Sequence, residues 1–307
     1  RMPYPPLQQP RLPFALRCGL ALLFAGLLIL PLAAQSEGPV MPKNFGIQDI
    51  DLPSDPREFM GGRWADFPTW PVSQDLPNDV FTFARLRYNS ESGYGRYRRF
   101  SKWMTDYPDA DLNFSYRLQQ LTSLEVNPNA AIVDIDAEQL RHYPFVYMIE
   151  PGQIYLDEAE AKILRDYMMN GGFIMVDDFW GIEEWEIFNL ALKSIFPDRE
   201  PEELPIEHEI FHMVFPLKVK PQIPSVGHAM QGRSMGITYE WNKPGSETPH
   251  YKAIFDDQRR IIMMICHNTD LGDGWEEEGT DPWYFREFSE KYAYPLGINI
   301  IFYALTH

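Results

Sequence analysis

From residue 79 to residue 307, short apolar runs alternate with stretches of helical period, and this limits the fold more than any other feature of the chain. Segments 131–135, 145–149 and 173–176 are short and apolar-rich, as suits strands buried on both faces. Around them, 109–124, 157–170 and 182–196 carry apolar residues three and four apart, so helices are expected there. Gly171-Gly172 can supply the left-handed residue that ends the second of these. Segment 80–88 alternates with period two, with Phe81, Phe83, Arg85 and Arg87 on one face and Val80, Thr82, Ala84 and Leu86 on the other. A β-rich stretch is expected at 236–241, 251–255 and 260–267, then helix over 284–305, interrupted near Pro295. The alternation predicts an α/β domain over 79–307, with a mainly parallel sheet covered on both faces. Ligands of such sheets sit at the carboxyl ends of the strands, so polar residues there are the candidates.

The region before the domain differs in kind. Residues 1–34 hold Arg1, Arg11 and Arg17 and no acid, and an apolar run from Cys18 to Leu32 ends at Ala33-Ala34. A run of this length is short of the roughly 20 residues of a membrane span and reads as a signal peptide cleaved near Ala34, giving a periplasmic or secreted product. The alternative is an uncleaved N-terminal anchor, which would be the chain's one membrane contact. Residues 35–78 form a proline-rich, extended leader, with Trp64, Phe67 and Trp70 expected to pack on the domain in part. The formal charge of −17 excludes a general nucleic-acid binder, because phosphate would be repelled over most of the surface. With only 2 cysteines, one of them inside the proposed signal, neither a disulfide scaffold nor a cysteine-rich zinc site is available.

Four constellations carry candidate chemistry. Asp177-Asp178-Phe179-Trp180-Gly181 ends a strand and opens a helix, where two carboxylates can bind a metal, orient a hydroxylated ligand or cap the helix. No Ser or Cys occupies that corner, so acyl chemistry from a nucleophile elbow is not expected. Cys266-His267-Asn268-Thr269-Asp270 leaves the apolar run 261–265, with His267 a candidate ligand contact and Cys266 a core residue. His208-Glu209-Ile210-Phe211-His212 matches H-E-x-x-H formally, but Pro205 and Pro216 bracket it and its residues favour extended structure, against a zinc-protease helix. Finally, Arg85, Arg87, Arg96, Arg98, Arg99 and Lys102 make a basic segment, either an anion site or partners for Asp106, Asp109 and Asp111.

A family resemblance rests on motifs in fixed order. These are the run from Trp103 to Asp111 (WMTDYPDAD), Tyr147 to Gly152, Asn170-Gly171-Gly172-Phe173 through Gly181, Ile265 to Trp275, and Gly297-Ile298-Asn299-Ile300. Together they resemble the bacterial domain of unknown function 4159 family across 79–307. The resemblance implies a flavodoxin-like, class I glutamine-amidotransferase-like fold, close to its trehalose-utilisation-protein-like branch. The Gly-His and His-Pro-Ile motifs of that branch stand here as Cys266-His267 and His208-Glu209-Ile210. The amidotransferase cysteine and its triad have no matching residues, so that activity is not implied. Longer members resemble membrane proteins encoded with envelope-associated ATPases and von Willebrand-type factors, which implies envelope partners.

The expectation is an exported domain, not demonstrably catalytic, that binds a small polar or carbohydrate ligand or a protein partner at the strand-end crevice. Asp177, Asp178, His267, Asn268, Asp270 and Glu150 are its expected contacts, and no cofactor is called for. The alternative is a metal-assisted hydrolase with one divalent ion held by Asp178, His208, His212 and His267.

Overall fold

The computed structural model describes residues 52–53, 55–62, 67–73, 79–90 and 101–307. The proposed signal, most of the leader (Trp64 included) and Arg96, Arg98 and Arg99 lie outside the described residues. In chain order the strands are β1 (Ala84–Arg87), β2 (Asn89–Ser90), β3 (Ala131–Asp134), β4 (Phe145–Ile149), β5 (Ile154–Tyr155), β6 (Phe173–Asp177), β7 (Glu202–Glu203), β8 (His250–Phe255) and β9 (Ile261–His267). The helices are α1 (Asp109–Leu121), α2 (Ala137–Leu140), α3 (Glu158–Met169), α4 (Gly181–Ile195), α5 (Val226–Gly232), α6 (Leu271–Glu276), α7 (Pro282–Tyr284) and α8 (Tyr294–Thr306).

Seven strands form one sheet in the order β3-β1-β4-β6-β9-β8-β7. The first five are parallel, while β8 and β7 close one edge in antiparallel pairing. Taken in chain order, the parallel strands lie 2-1-3-4-5, the doubly wound order whose reversal falls between β1 and β4. Phe145, Tyr147, Phe173 and Met175 point to one face, against Phe114 and Leu118 of α1 and residues of α8. Val146, Met148, Ile174 and Val176 point to the other, against Leu164 and Met168 of α3 and Phe188 and Leu192 of α4. Period-two alternation in strands with both faces buried thus produces the three layers.

Local signals fix most boundaries. Asp157 caps α3, accepting from Glu160 N–H while the Glu160 carboxylate accepts from Asp157 N–H, a reciprocal capping box. The leader does pack on the domain through Trp70, whose Nε1 donates to Val126 O at 2.7 Å and whose ring lies 5.7 Å from that of Tyr116. The sequence-expected strand at 236–241 is absent; Gly236 takes a left-handed φ of 68° and closes a turn, leaving Ile237 to donate back to Gly232 O at 3.2 Å. Around Pro295 the helix continues instead of breaking. Phe285–Ala293 widens into a π-helix, and Tyr294 N–H reaches back to Ser289 O just before the proline, which has no N–H to donate. No helix among the described residues is long and apolar enough to cross a membrane.

Candidate functional site: an acidic crevice at the strand ends

Neighbouring strand exits are tied to one another. Tyr88 OH, just past β1, donates to Ile149 O at 2.6 Å and Glu150 O at 2.8 Å, at the end of β4. Glu150 N–H then donates to Asp177 O at 3.0 Å, and Asn268 N–H, past β9, donates to Phe179 O at 3.0 Å. Glu150, Asp178 and Asn268, each first after its strand, have left-handed φ values of 47°, 54° and 60°. Asp106, on the approach to α1, joins them at 60°. Left-handed backbone is uncommon outside glycine, and its gathering at one place marks a candidate site.

These exits surround a crevice of about 170 Å³ that holds much more than one water. Its walls carry two lysines, and both are engaged: Lys102 with Glu150, and Lys243 with Glu184. Asp106, Asp178, Asp270 and Asp273 line it as well, and none of the four forms an ion pair among the described residues. Burial pushes Asp178 far above the usual carboxylate range, and the nearby Glu150 and Asp177 push the same way. Asp106 rises through burial and then through Asp273 and Glu276, with Arg85 opposing. Burial also raises Asp270, reinforced by Asp178 and Asp273, and pushes Asp273 up to about 8. So many bare charges cannot share one enclosed space, and they call for protons or for a cation.

Three of the sequence-predicted contacts therefore line the crevice: Asp178, Asp270 and Glu150. The other three hold its walls. Asp177 Oδ2 accepts from Tyr147 OH at 3.0 Å and from the N–H groups of Leu271 and Gly272 at 2.9 and 3.1 Å, fixing the start of α6 on β6. Burial pushes Asp177 up to about 7 against these donors. Asn268 spends its whole side chain: Oδ1 accepts from Gly181 N–H at 2.8 Å, and Nδ2 donates to Gly245 O and Thr248 O at 2.9 and 2.8 Å. His267 is hydrogen-bonded through Nε2 to Gly181 O at 3.0 Å, and burial pushes it down to about 4. Gly181 can serve both because its φ is +74° and any Cβ would lie 2.7 Å from Pro244 O.

The metal alternative's His208 and His267 stand at opposite ends of one strand. His208 packs on Phe255 and Tyr303, and Tyr303 OH accepts from Ile261 N–H, at the first residue of β9. His267 is the last residue of that strand, so the two ends are about 20 Å apart at the usual rise per residue. His212 bonds Ile206 O, and 209–211 form a single 3-10 turn instead of a helix presenting two imidazoles on one face. Cys266 is buried, with its thiol pushed well above its ordinary range, as suits a core residue. In the basic segment, Arg85 pairs with Asp111 and Arg87 with Asp134.

Sequence reasoning passed over Asp106, Asp273 and Glu276 as site residues. Their signal was present: Asp106 lies in the family-like motif 103–111, and Asp273 and Glu276 follow Asp270 at three-residue steps on α6. By fold and site the molecule is a three-layer α/β protein with an acidic crevice at its strand ends. The chain belongs to the domain of unknown function family DUF4159, whose model matches residues 82–305. No curated protein matches it.

Proposed function

We propose that this is an exported cell-envelope protein whose domain binds a small polar ligand, neutral or cationic and of carbohydrate character, in the strand-end crevice. The observation that carries the reading is the charge balance of the crevice, in which both lysines are already paired and four aspartates are left over. An anionic ligand would meet uncompensated negative charge, whereas hydroxyl or ammonium groups offer the donors that buried carboxylates lack. Without a Ser or Cys at the β6 exit, the domain resembles the glutamine-amidotransferase-like superfamily in outline but not in chemistry. Export rests on the 1–34 segment, and an envelope protein partner at the same crevice is the companion expectation. The hydrolase alternative loses support with His208 at the far end of β9 and with no helix to bring His212 onto one face with it.

A thermal-shift screen tests the reading. Neutral sugars, polyols and alkylammonium compounds should contain stabilisers, phosphate and carboxylates should not, and Asp178→Ala should abolish the shifts. Stabilisation by anions alone, or shifts that survive Asp178→Ala, would sink it.

A further inference from the structure

We infer that Asp106, Asp178 and Asp270 form a binding site for one hard divalent cation, with calcium preferred. One carboxylate oxygen from each comes close enough to the others for a single ion to touch all three. Three carboxylates delivered by three separate segments suit calcium, which accepts six to eight oxygens in loose geometry, better than magnesium, which demands a near-ideal octahedron. The donor set is oxygen only, so softer metals have no claim on it.

Carboxylates can cluster without an ion, and two further observations separate this case. Asp178 and Asp270 are only 8 % and 3 % exposed, and each has one oxygen engaged, by Trp180 Nε1 at 3.0 Å and Asp273 N–H at 2.7 Å. Asp106 is less buried as a residue, but its Oδ2 is enclosed without a hydrogen-bond donor, and the side chain at bonding range is another acid, Glu276. An acid facing an acid needs a proton or a metal between them. Gly272 lets that oxygen sit where it does, since a Cβ there would stand 2.5 Å from Oδ2. A second triad, Asp106 with Asp273 and Glu276, shares the aspartate, but Glu276 does not line the crevice, which places the ion on the first.

This deepens the polar-ligand reading, since a calcium ion with open positions binds vicinal hydroxyls, but it is tested without any organic ligand, so the two can fail separately. Full-length protein stripped with a chelator is titrated calorimetrically with calcium chloride and with magnesium chloride. Calcium should bind at one equivalent and more tightly than magnesium. Asp178→Asn and Asp270→Asn should each weaken it by about tenfold or more, with Glu276→Gln changing it less than about threefold. Terbium, a calcium mimic, should luminesce on tryptophan excitation of the unmodified protein and be displaced by calcium, a readout that does not depend on any variant folding. Absence of both calcium heat and terbium emission overturns the site. So does a titration lost in Glu276→Gln and kept in Asp178→Asn, which would move the ion to the second triad.

Discussion

Asp106 and Asp111 lie five positions apart in one motif, Asp111 fully buried and Asp106 partly so with its Oδ2 enclosed, and they show two opposite uses of a carboxylate taken from water. Asp111 is answered: Arg85 grips both its oxygens and sends its remaining N–H groups to Trp103 O and Thr105 O at 3.1 and 2.7 Å. Burial alone would depress Arg85, yet the Asp111 carboxylate beside it raises it well above the ordinary value. Asp106 has no such partner and faces Asp178, Asp270, Asp273 and Glu276. A closed charge pair fixes α1 on β1 and is finished with; an open cluster is waiting for something from outside. The difference separates scaffold from site inside a single short motif.

The sharpest way to break that contrast is to open the closed pair. Arg85→Met leaves Asp111 buried and unanswered and should cost about 3–5 kcal/mol in urea unfolding. Adding Asp111→Leu should restore most of the loss, because two apolar groups can replace a buried ion pair. If the single variant unfolds no more easily than wild type, Asp111 is no more satisfied than Asp106 and the distinction fails. Next in size is Asn268→Ala, which strips Gly181, Gly245 and Thr248 of their partners and puts alanine at φ 60°; about 3 kcal/mol is expected.

His267 tests the wall by pH. Its folded value of about 4 lies below the ordinary 6.5, so between these the unfolded chain holds a proton that the folded chain refuses. The stability is complete above pH 6.5 and is lost as pH falls toward 4, by about 2–3 kcal/mol. Burial is the main cause, with His250 and Lys252 of β8 pushing the same way and the Gly181 carbonyl and Glu203 opposing. Because the raised carboxylates respond in the other direction, the measurement is the difference between wild type and His267→Gln in urea midpoints from pH 7 to 4.5. A constant difference would mean that the imidazole is not held neutral.

How much of this was legible in the sequence follows from the range of the interactions involved. Strand exits are local: an apolar run followed by acids or amides marked Glu150, Asp178 and Asp270, which line the crevice, and Asn268, which braces its wall. Which way each then turns is not local. Asn268 spends every polar atom on Gly181, Gly245 and Thr248, and these contacts belong to the folded chain, not to the spacing. Asp106 was hidden by a reasonable rule, that acids beside arginines pair with them. The rule is right for Asp111 and wrong for its neighbour, because one guanidinium fork can close on only one carboxylate. The HExxH match failed in the opposite way, as a pattern without its helix: with Pro205 and Pro216 bracketing the stretch, only one 3-10 turn forms.

The smallest expected effect carries a change of sign, which makes it the most telling. In cation-free buffer Asp106→Asn relieves the cost of holding an ionisable acid in a crowded acidic pocket, at little steric cost, and it should stabilise the protein by about 1 kcal/mol. Asp111→Asn, made five residues away, should do the reverse, since it abandons Arg85. Adding calcium should then reorder the series. Wild type gains with the logarithm of the ligand excess, about 2.7 kcal/mol at a hundredfold over the dissociation constant, while Asp106→Asn gains little. Thermal melts of the three proteins with and without millimolar calcium decide it. Should Asp106→Asn destabilise the cation-free protein, the carboxylate has a partner after all, and the two aspartates are scaffold alike.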